Sequence, residues 1–160
     1  MDFRHFLEMS YQPSKHRGAG ILPIARSSGK ILLGLRAMGG GHEETWASFG
    51  GGAGNKETPR QTALREFYEE TGFSGKIGLM PFWIGTSGPS KNPKRVYHLF
   101  VGIVPTEFEP KLNMEHSEAK WFTYDEAKKL KNKHPKLDQL FTLADSELKE
   151  ICRVRSNRTT

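Results

Sequence analysis

The apolar positions of this chain fall into two rhythms. ILPIA at 21–25 and KILLGLR at 30–36 are almost continuous, with Arg26-Ser27-Ser28-Gly29 between them, and together they predict a hairpin with a short turn. Unbroken apolarity of this kind predicts strands covered on both faces. KIGLMPFWIG at 76–85 and RVYHLFVGIV at 95–104 predict two further strands, joined by the basic, proline-containing loop TSGPSKNPK. TWASF at 45–49 and residues 119–123 predict shorter ones. The joining loop is either a rim that selects a substrate or a plain connection.

The second rhythm is helical. Thr58 is a good N-cap, Pro59 suits the first helical position, Gln61 completes a capping-box pattern, and Gly72 marks a C-terminal stop. Within those bounds Ala63, Leu64, Phe67 and Tyr68 form an apolar stripe, and Glu66, Glu69 and Glu70 are expected to project together, displaced from it. A second helix is expected to start near Asp125. An amphipathic helix over about 136–151 presents Leu137, Leu140, Phe141, Leu148 and Ile151 as its core face. Residues 1–18 read as a lead-in and 153–160 as a frayed tail. Strands mixed with a central helix and C-terminal helices predict an α/β fold, with residues 1–160 as a single domain.

Composition narrows the class. Hydrophobic residues make up 36% of the chain and charged residues 26%, and no apolar run approaches the roughly 18 residues of a membrane span, so a soluble protein is expected. The first residues lack an apolar h-region, which predicts a cytoplasmic location. Cys152 is the sole cysteine and is expected as a buried or semi-exposed thiol on the last helix; an internal disulfide framework and a cysteine-rich zinc site are excluded. The net charge of +6 is strung along the chain, and its densest run, AKKLKNKHPK, predicts a solvated helix face. A basic excess also steers polyanionic nucleotides toward a protein. His42, in a glycine-rich polar loop, is either a ligand or base or simply solvated.

Three carboxylates on one helix stripe repel each other unless something compensates. A solvated acidic face is the ordinary explanation; a bound divalent cation is the alternative that turns repulsion into attraction.

The spacing around these glutamates resembles a known pattern. Gly51, then five residues, Glu57, then seven, then Arg65-Glu66-Phe67-Tyr68-Glu69-Glu70-Thr71-Gly72-Phe73 is similar to the Nudix box, with every fixed position filled. At roughly 6–7% for each of seven Gly, Glu and Arg positions, chance gives about one match in 10^8 starting points. Phe49 stands where a proline commonly precedes the glycines.

The resemblance, covering about 20–124, implies an α/β/α sandwich around a mixed sheet and hydrolysis of a diphosphate on a divalent metal. It implies that Glu66, Glu69 and Glu70 hold Mg2+, with Mn2+ as an alternative, and that Gly51 lends a carbonyl. Glu57 and Arg65 are implied as a bracing ion pair. Glu115, favoured over Glu118, is implied to complete the metal site, and Glu66 or Glu115 to take a proton from water.

The implied substrate is a small nucleoside diphosphate linked to another moiety. ADP-ribose-like sugar nucleotides rank first, because Pro89 lies 16 residues past Phe73. Dinucleoside polyphosphates rank second and oxidised nucleoside triphosphates third. Two other readings stand beside this one: a catalytically idle nucleotide sensor, and an RNA-binding or decapping protein. The intact carboxylates oppose the first, and the absence of interleaved aromatic and basic residues makes nucleic acid the less favoured partner. No membrane partner is expected, and homodimerisation is left open.

Overall fold

The computed structural model describes residues 16–85 and 96–157. In chain order these form β1 (His16–Ala25), β2 (Ile31–Arg36), β3 (Trp46–Ala47), β4 (Phe49–Gly52), α1 (Pro59–Thr71), β5 (Gly78–Gly85), β6 (Val96–Val104), β7 (His116–Phe122), α2 (Tyr124–Lys129), α3 (Pro135–Leu143) and α4 (Asp145–Asn157).

The strands make one mixed sheet in the order β3-β2-β1-β6-β5, with β4 also pairing β1 and β7 also pairing β2. Only β1 and β6 run parallel among the described strands. Along β1 the antiparallel partner changes, from β2 at Ile24 to β4 over Gly18 to Ile21. That change opens the sheet at the end where the glycines lie.

Strand side chains alternate between the two faces. Ala19 and Ile21 of β1, Leu32 of β2 and Phe100 of β6 pack with Phe49, Ala63 and Phe67, so α1 covers one face. Leu22, Ile24, Ile31, Leu33, Leu99 and Val101 pack on the other face with Tyr124, Leu137, Leu140, Phe141 and Leu148 from α2, α3 and α4. This is the α/β/α sandwich around a mixed sheet that the resemblance implies, and both-face burial explains the unbroken apolar runs.

Several expectations are corrected. The first strand begins at His16, inside the expected lead-in. The run Gly50-Gly51-Gly52 is part of strand β4, because its backbone has the Gly18 to Gly20 edge of β1 to pair with. The strand expected at 119–123 starts at His116. The single helix over 136–151 is two helices broken at Ala144, and the second continues to Asn157, into the expected tail. Leu137, Leu140, Phe141 and Leu148 are buried as expected, Ile151 is half-buried, and Cys152 is buried on α4. Burial in that apolar setting pushes the Cys152 thiol up to about 12. The loop TSGPSKNPK lies outside the described residues. No described helix is long and apolar enough to cross a membrane.

Candidate active site

Helix α1 starts and stops where its caps dictate. The Thr58 hydroxyl accepts from the Gln61 N–H at 3.2 Å, the Gln61 side chain accepts from the Thr58 N–H at 2.9 Å, and Gly72 closes the helix at φ 72°. Its buried face differs from the apolar stripe expected above. Ala63 and Phe67 are buried, but Leu64 and Tyr68 are 41% and 58% exposed, and Glu66 and Glu70 occupy the buried side instead. Glu66 and Glu70 are four residues apart and share a face; Glu69 is turned outward, 3.1 Å from Arg65.

What meets Glu66 and Glu70 is Glu115, with carboxylate oxygens of the three lying within 4.8 Å of one another. The structure therefore groups Glu115, rather than Glu69, with them. Glu118 is elsewhere, 3.1 Å from Lys120. Glu115 is placed by a register shift between Leu35 and Arg36 in the β2–β7 pairing, beside which the Ala37 N–H donates to the Glu115 carbonyl at 2.9 Å. Irregular pairing of this sort re-aims side chains at a strand end.

The cluster is electrostatically unhappy as three bare carboxylates. Burial, then the charges of Glu115 and Glu66, push Glu70 up to about 9. Burial likewise raises Glu66 against the opposing pull of Arg65. Glu70 Oε2 is buried and has no hydrogen-bond partner among the described residues. His116 Nδ1 stands 3.8 Å from Glu70 Oε1, but burial holds that imidazole down at about 4, so near neutral pH it supplies no positive charge. A divalent cation is what this donor set fits: all-oxygen, mostly buried, with an unsatisfied lone pair.

Arg65 ties the cluster to the preceding loop. Its Nε and Nη2 reach the two oxygens of Glu57 at 2.7 and 3.0 Å, Nη2 also donates to the Gly52 carbonyl at 2.9 Å, and Nη1 donates to Glu66 Oε1 at 3.0 Å. The paired fork is the strong geometry for a guanidinium and a carboxylate. It holds the Glu57 carboxyl at about 2. Behind Glu57, the buried Thr62 hydroxyl lies 3.2 Å from Glu57 Oε1 and 2.9 Å from His16 Nε2. Gly51 leaves room for Glu66: a Cβ there would stand 2.6 Å from its carboxyl. The Gly51 carbonyl oxygen, implied as a metal ligand, lies against Gly18, 2.3 Å from where a Cβ on that residue would be.

A cavity of about 360 Å³ adjoins the glycine strand, lined by Arg17, Arg36, Trp83, Tyr97, His134 and Lys136 together with Gly50, Gly51 and Gly52. None of those six residues stood out in the sequence. Arg36 ends an apolar run, and Lys136 sits in the lysine-rich stretch expected as a solvated face. That expectation fails locally: Lys133 Nζ caps the carbonyls of Lys128 and Leu130, and Lys136 Nζ lies 4.5 Å over the Tyr97 ring. His42 packs at 4.4 Å against the His134 ring, in an exposed loop.

The family model described as the NUDIX domain matches residues 14–143. The chain is similar to human diphosphoinositol polyphosphate phosphohydrolase 3-alpha, with 30% identity over 130 residues, 78% of this chain and 75% of that protein. It is also similar to mouse diphosphoinositol polyphosphate phosphohydrolase 2, 31% identical over 93 residues, 58% of this chain; there it spans about half, 51%, of the relative's length. Among solved structures, RenU, a Nudix hydrolase from M. smegmatis, superposes with a TM-score of 0.73 at 23% identity, over 87% of this chain and 86% of that one, a likeness of fold.

Proposed function

The chain belongs to the Nudix family, and on that premise we propose that it hydrolyses a phosphoanhydride bond in a small nucleotide, a nucleoside diphosphate linked to another moiety, with Mg2+ or Mn2+ as cofactor. The observation that carries this reading is the convergence of Glu66, Glu70 and Glu115 around a buried carboxylate oxygen without a partner among the described residues. ADP-ribose-like sugar nucleotides and dinucleoside polyphosphates are the substrate classes favoured by the nucleotide reading. The relatives named as diphosphoinositol polyphosphate phosphohydrolases add a third, non-nucleotide class to be assayed.

Glu66, Glu70 and Glu115 would hold the cation, which when bound neutralises diphosphate charge and lowers the pKa of a water. The residues of the chain do the rest. Arg65 holds Glu66 against the glycine strand through Gly52 and Glu57, fixing one wall of the site. Of the two candidate bases, Glu115 is the exposed member of the cluster and Glu66 already accepts from Arg65, which favours assigning the water's proton to Glu115. Glu69 lies outside this set, balanced on Arg65.

A panel of the three substrate classes with Mg2+, read by phosphate release after phosphatase coupling, tests the reading. Turnover that is abolished by a chelator and restored by Mg2+ supports it. Tight nucleotide binding with no turnover would identify an idle sensor instead, and selective cleavage of capped RNA a decapping protein.

A further inference from the structure

We propose that His116 is a positioning residue for Glu70: its Nδ1–H donates to Glu70 Oε1 and holds that carboxylate in place for a divalent cation. This rests on the metal-dependent hydrolase reading above and adds to it a residue outside the Gly51 to Phe73 stretch.

The imidazole stands behind the cluster rather than in it. Among the described residues the converging carboxylate oxygens come from Glu66, Glu70 and Glu115, and His116 supplies no atom to that group. Its Nδ1 nevertheless lies 3.8 Å from Glu70 Oε1, with the His116 side chain 1% exposed and the Glu70 side chain 3%. Neither ring nitrogen has a hydrogen-bond partner among the described residues, and neither has Glu70 Oε2. Buried polar atoms are seldom left so, and each one calls for a reason. The Gly50 backbone N–H also faces the Glu70 carboxyl, and the positive charge of Arg36 acts on it too.

Proton counting decides which nitrogen carries the hydrogen. An ionised carboxylate only accepts, so an imidazole that meets it with a bare nitrogen sets lone pair against lone pair. Hydrogen on Nε2 has that effect, and it also buries an N–H with no acceptor among the described residues. Hydrogen on Nδ1 removes both faults. The 3.8 Å gap exceeds the about 2.7–3.2 Å of an N–H···O hydrogen bond, and the terminal torsion of a glutamate is soft enough for the carboxylate to turn into the contact.

The fold keeps the ring in place. Leu35 pairs with Glu118 and Arg36 with His116, so β7 carries one extra residue, Ser117, at this point. The bulge leaves His116 buried and Ser117 exposed. Inside, Phe49 packs on the imidazole with ring centroids 5.1 Å apart. Gly34 clears the remaining space, since a Cβ there would stand 2.5 Å from His116 Cδ2. With the Cδ2 edge against Gly34, the Nδ1 edge is left to Glu70. Arg65 steadies Glu66 in the same way, from 3.0 Å.

The test uses the full chain. Mn2+ binding is followed by electron paramagnetic resonance, without substrate, in wild type and in His116→Phe, which keeps an aromatic ring and removes both nitrogens. Loss of a group that orients a metal-binding carboxylate is expected to raise the Mn2+ Kd about tenfold to a hundredfold. A ring that only packs would shift Tm and leave that Kd unmoved. 15N spectra of the wild-type imidazole with Mg2+ bound read the tautomer and need no variant; hydrogen on Nδ1 is expected. A Kd within twofold of wild type in folded His116→Phe, or a bare Nδ1 in the Mg2+ form, overturns the proposal and leaves the hydrolase reading intact. Mn2+ binding that depends on His116, with no turnover anywhere in the substrate panel, overturns the hydrolase reading and keeps the role of His116. A wild-type protein that binds no Mn2+ overturns the two together.

Discussion

The α-carbon of Gly51 faces the carboxyl of Glu66 so closely that a single added methyl would stand 2.6 to 2.7 Å from its three terminal atoms. Gly51 belongs to a strand and Glu66 to a helix, and this contact is where the sheet meets the acidic cluster. The next residue along, Gly52, is the reverse case: nothing lies within 4 Å of a Cβ there, and its carbonyl accepts from Arg65. The pair gives a matched comparison. Gly51→Ala is expected to displace Glu66 and lower kcat about a hundredfold, since misplacement by an ångström costs on that order. Gly52→Ala serves as the conservative neighbour, with an effect of a few fold at most. Equal effects in a steady-state assay would show that the Gly51 to Glu66 approach does not shape the site.

Glu70 and Glu118 separate the two acidic neighbourhoods near β7. Glu70 is 2% exposed and inside the carboxylate cluster, whereas Glu118 pairs with Lys120 at the surface. Glu70→Gln is expected to reduce Mg2+-dependent turnover about a hundredfold or more, with Glu118→Gln close to wild type. Circular dichroism on both variants checks that the fold survives. Wild-type turnover in Glu70→Gln would remove this residue from the metal site.

Metal binding should also appear in stability, with a pH dependence set by Glu70. Its folded-state value of about 9 lies above the ordinary carboxylate value of 4.5, so the fold favours the protonated form. The metal-free protein therefore loses stability as pH rises from 4.5 toward 9, where folding opposes an ionisation that the unfolded chain completes freely. A divalent cation favours the ionised form and reverses this. The rise in Tm on adding Mg2+ should be larger at about pH 8 than at about pH 5. A Tm gain that is the same at both pH values would disconnect Glu70 from the cation.

Glu57 gives the opposite sign. Its folded value of about 2 lies below 4.5, so its ion pair with Arg65 contributes fully above about pH 4.5 and is lost as pH falls toward 2. Thr62 supports that carboxylate from behind while also bonding His16. Thr62→Val removes a hydrogen bond from each of Glu57 and His16 and is expected to cost about 1–3 kcal/mol, with Thr62→Ser costing less. Thermal melts from pH 7 down to 2 should show a shallower acid decline in Glu57→Gln than in wild type. Parallel curves would mean the pair adds nothing to the folded state.

Local order was legible in the sequence because it depends on neighbours along the chain. The caps at Thr58 and Gly72 follow from residues three or four apart, the hairpin turn at 26–29 from a polar break between apolar runs, and the spacing from Gly51 to Phe73 from a strand end, one loop and one helix. The helix break at Ala144 and the continuation of α4 to Asn157 were not legible, because the apolar period of 136–151 runs through the break and burial against the sheet decides the packing.

The sequence by itself determined the α/β class and the acidic helix, since periodicity and caps are properties of a linear chain, while the sandwich and the bracing role of Arg65 were what the resemblance implied. Tertiary structure decided which carboxylates lie together, with Glu115 among them as the resemblance implied. It set Glu115 beside Glu66 and Glu70 through the irregular β2–β7 pairing, and left Glu69 on Arg65. It likewise gathered Arg17, Arg36 and Lys136, 119 positions apart at the extremes, around one cavity. The reason is physical: a 100° turn per residue separates Glu69 from Glu70 on the helix surface, while strand pairing brings distant residues within a few ångströms, and neither the pairing partner nor its register is written in local pattern.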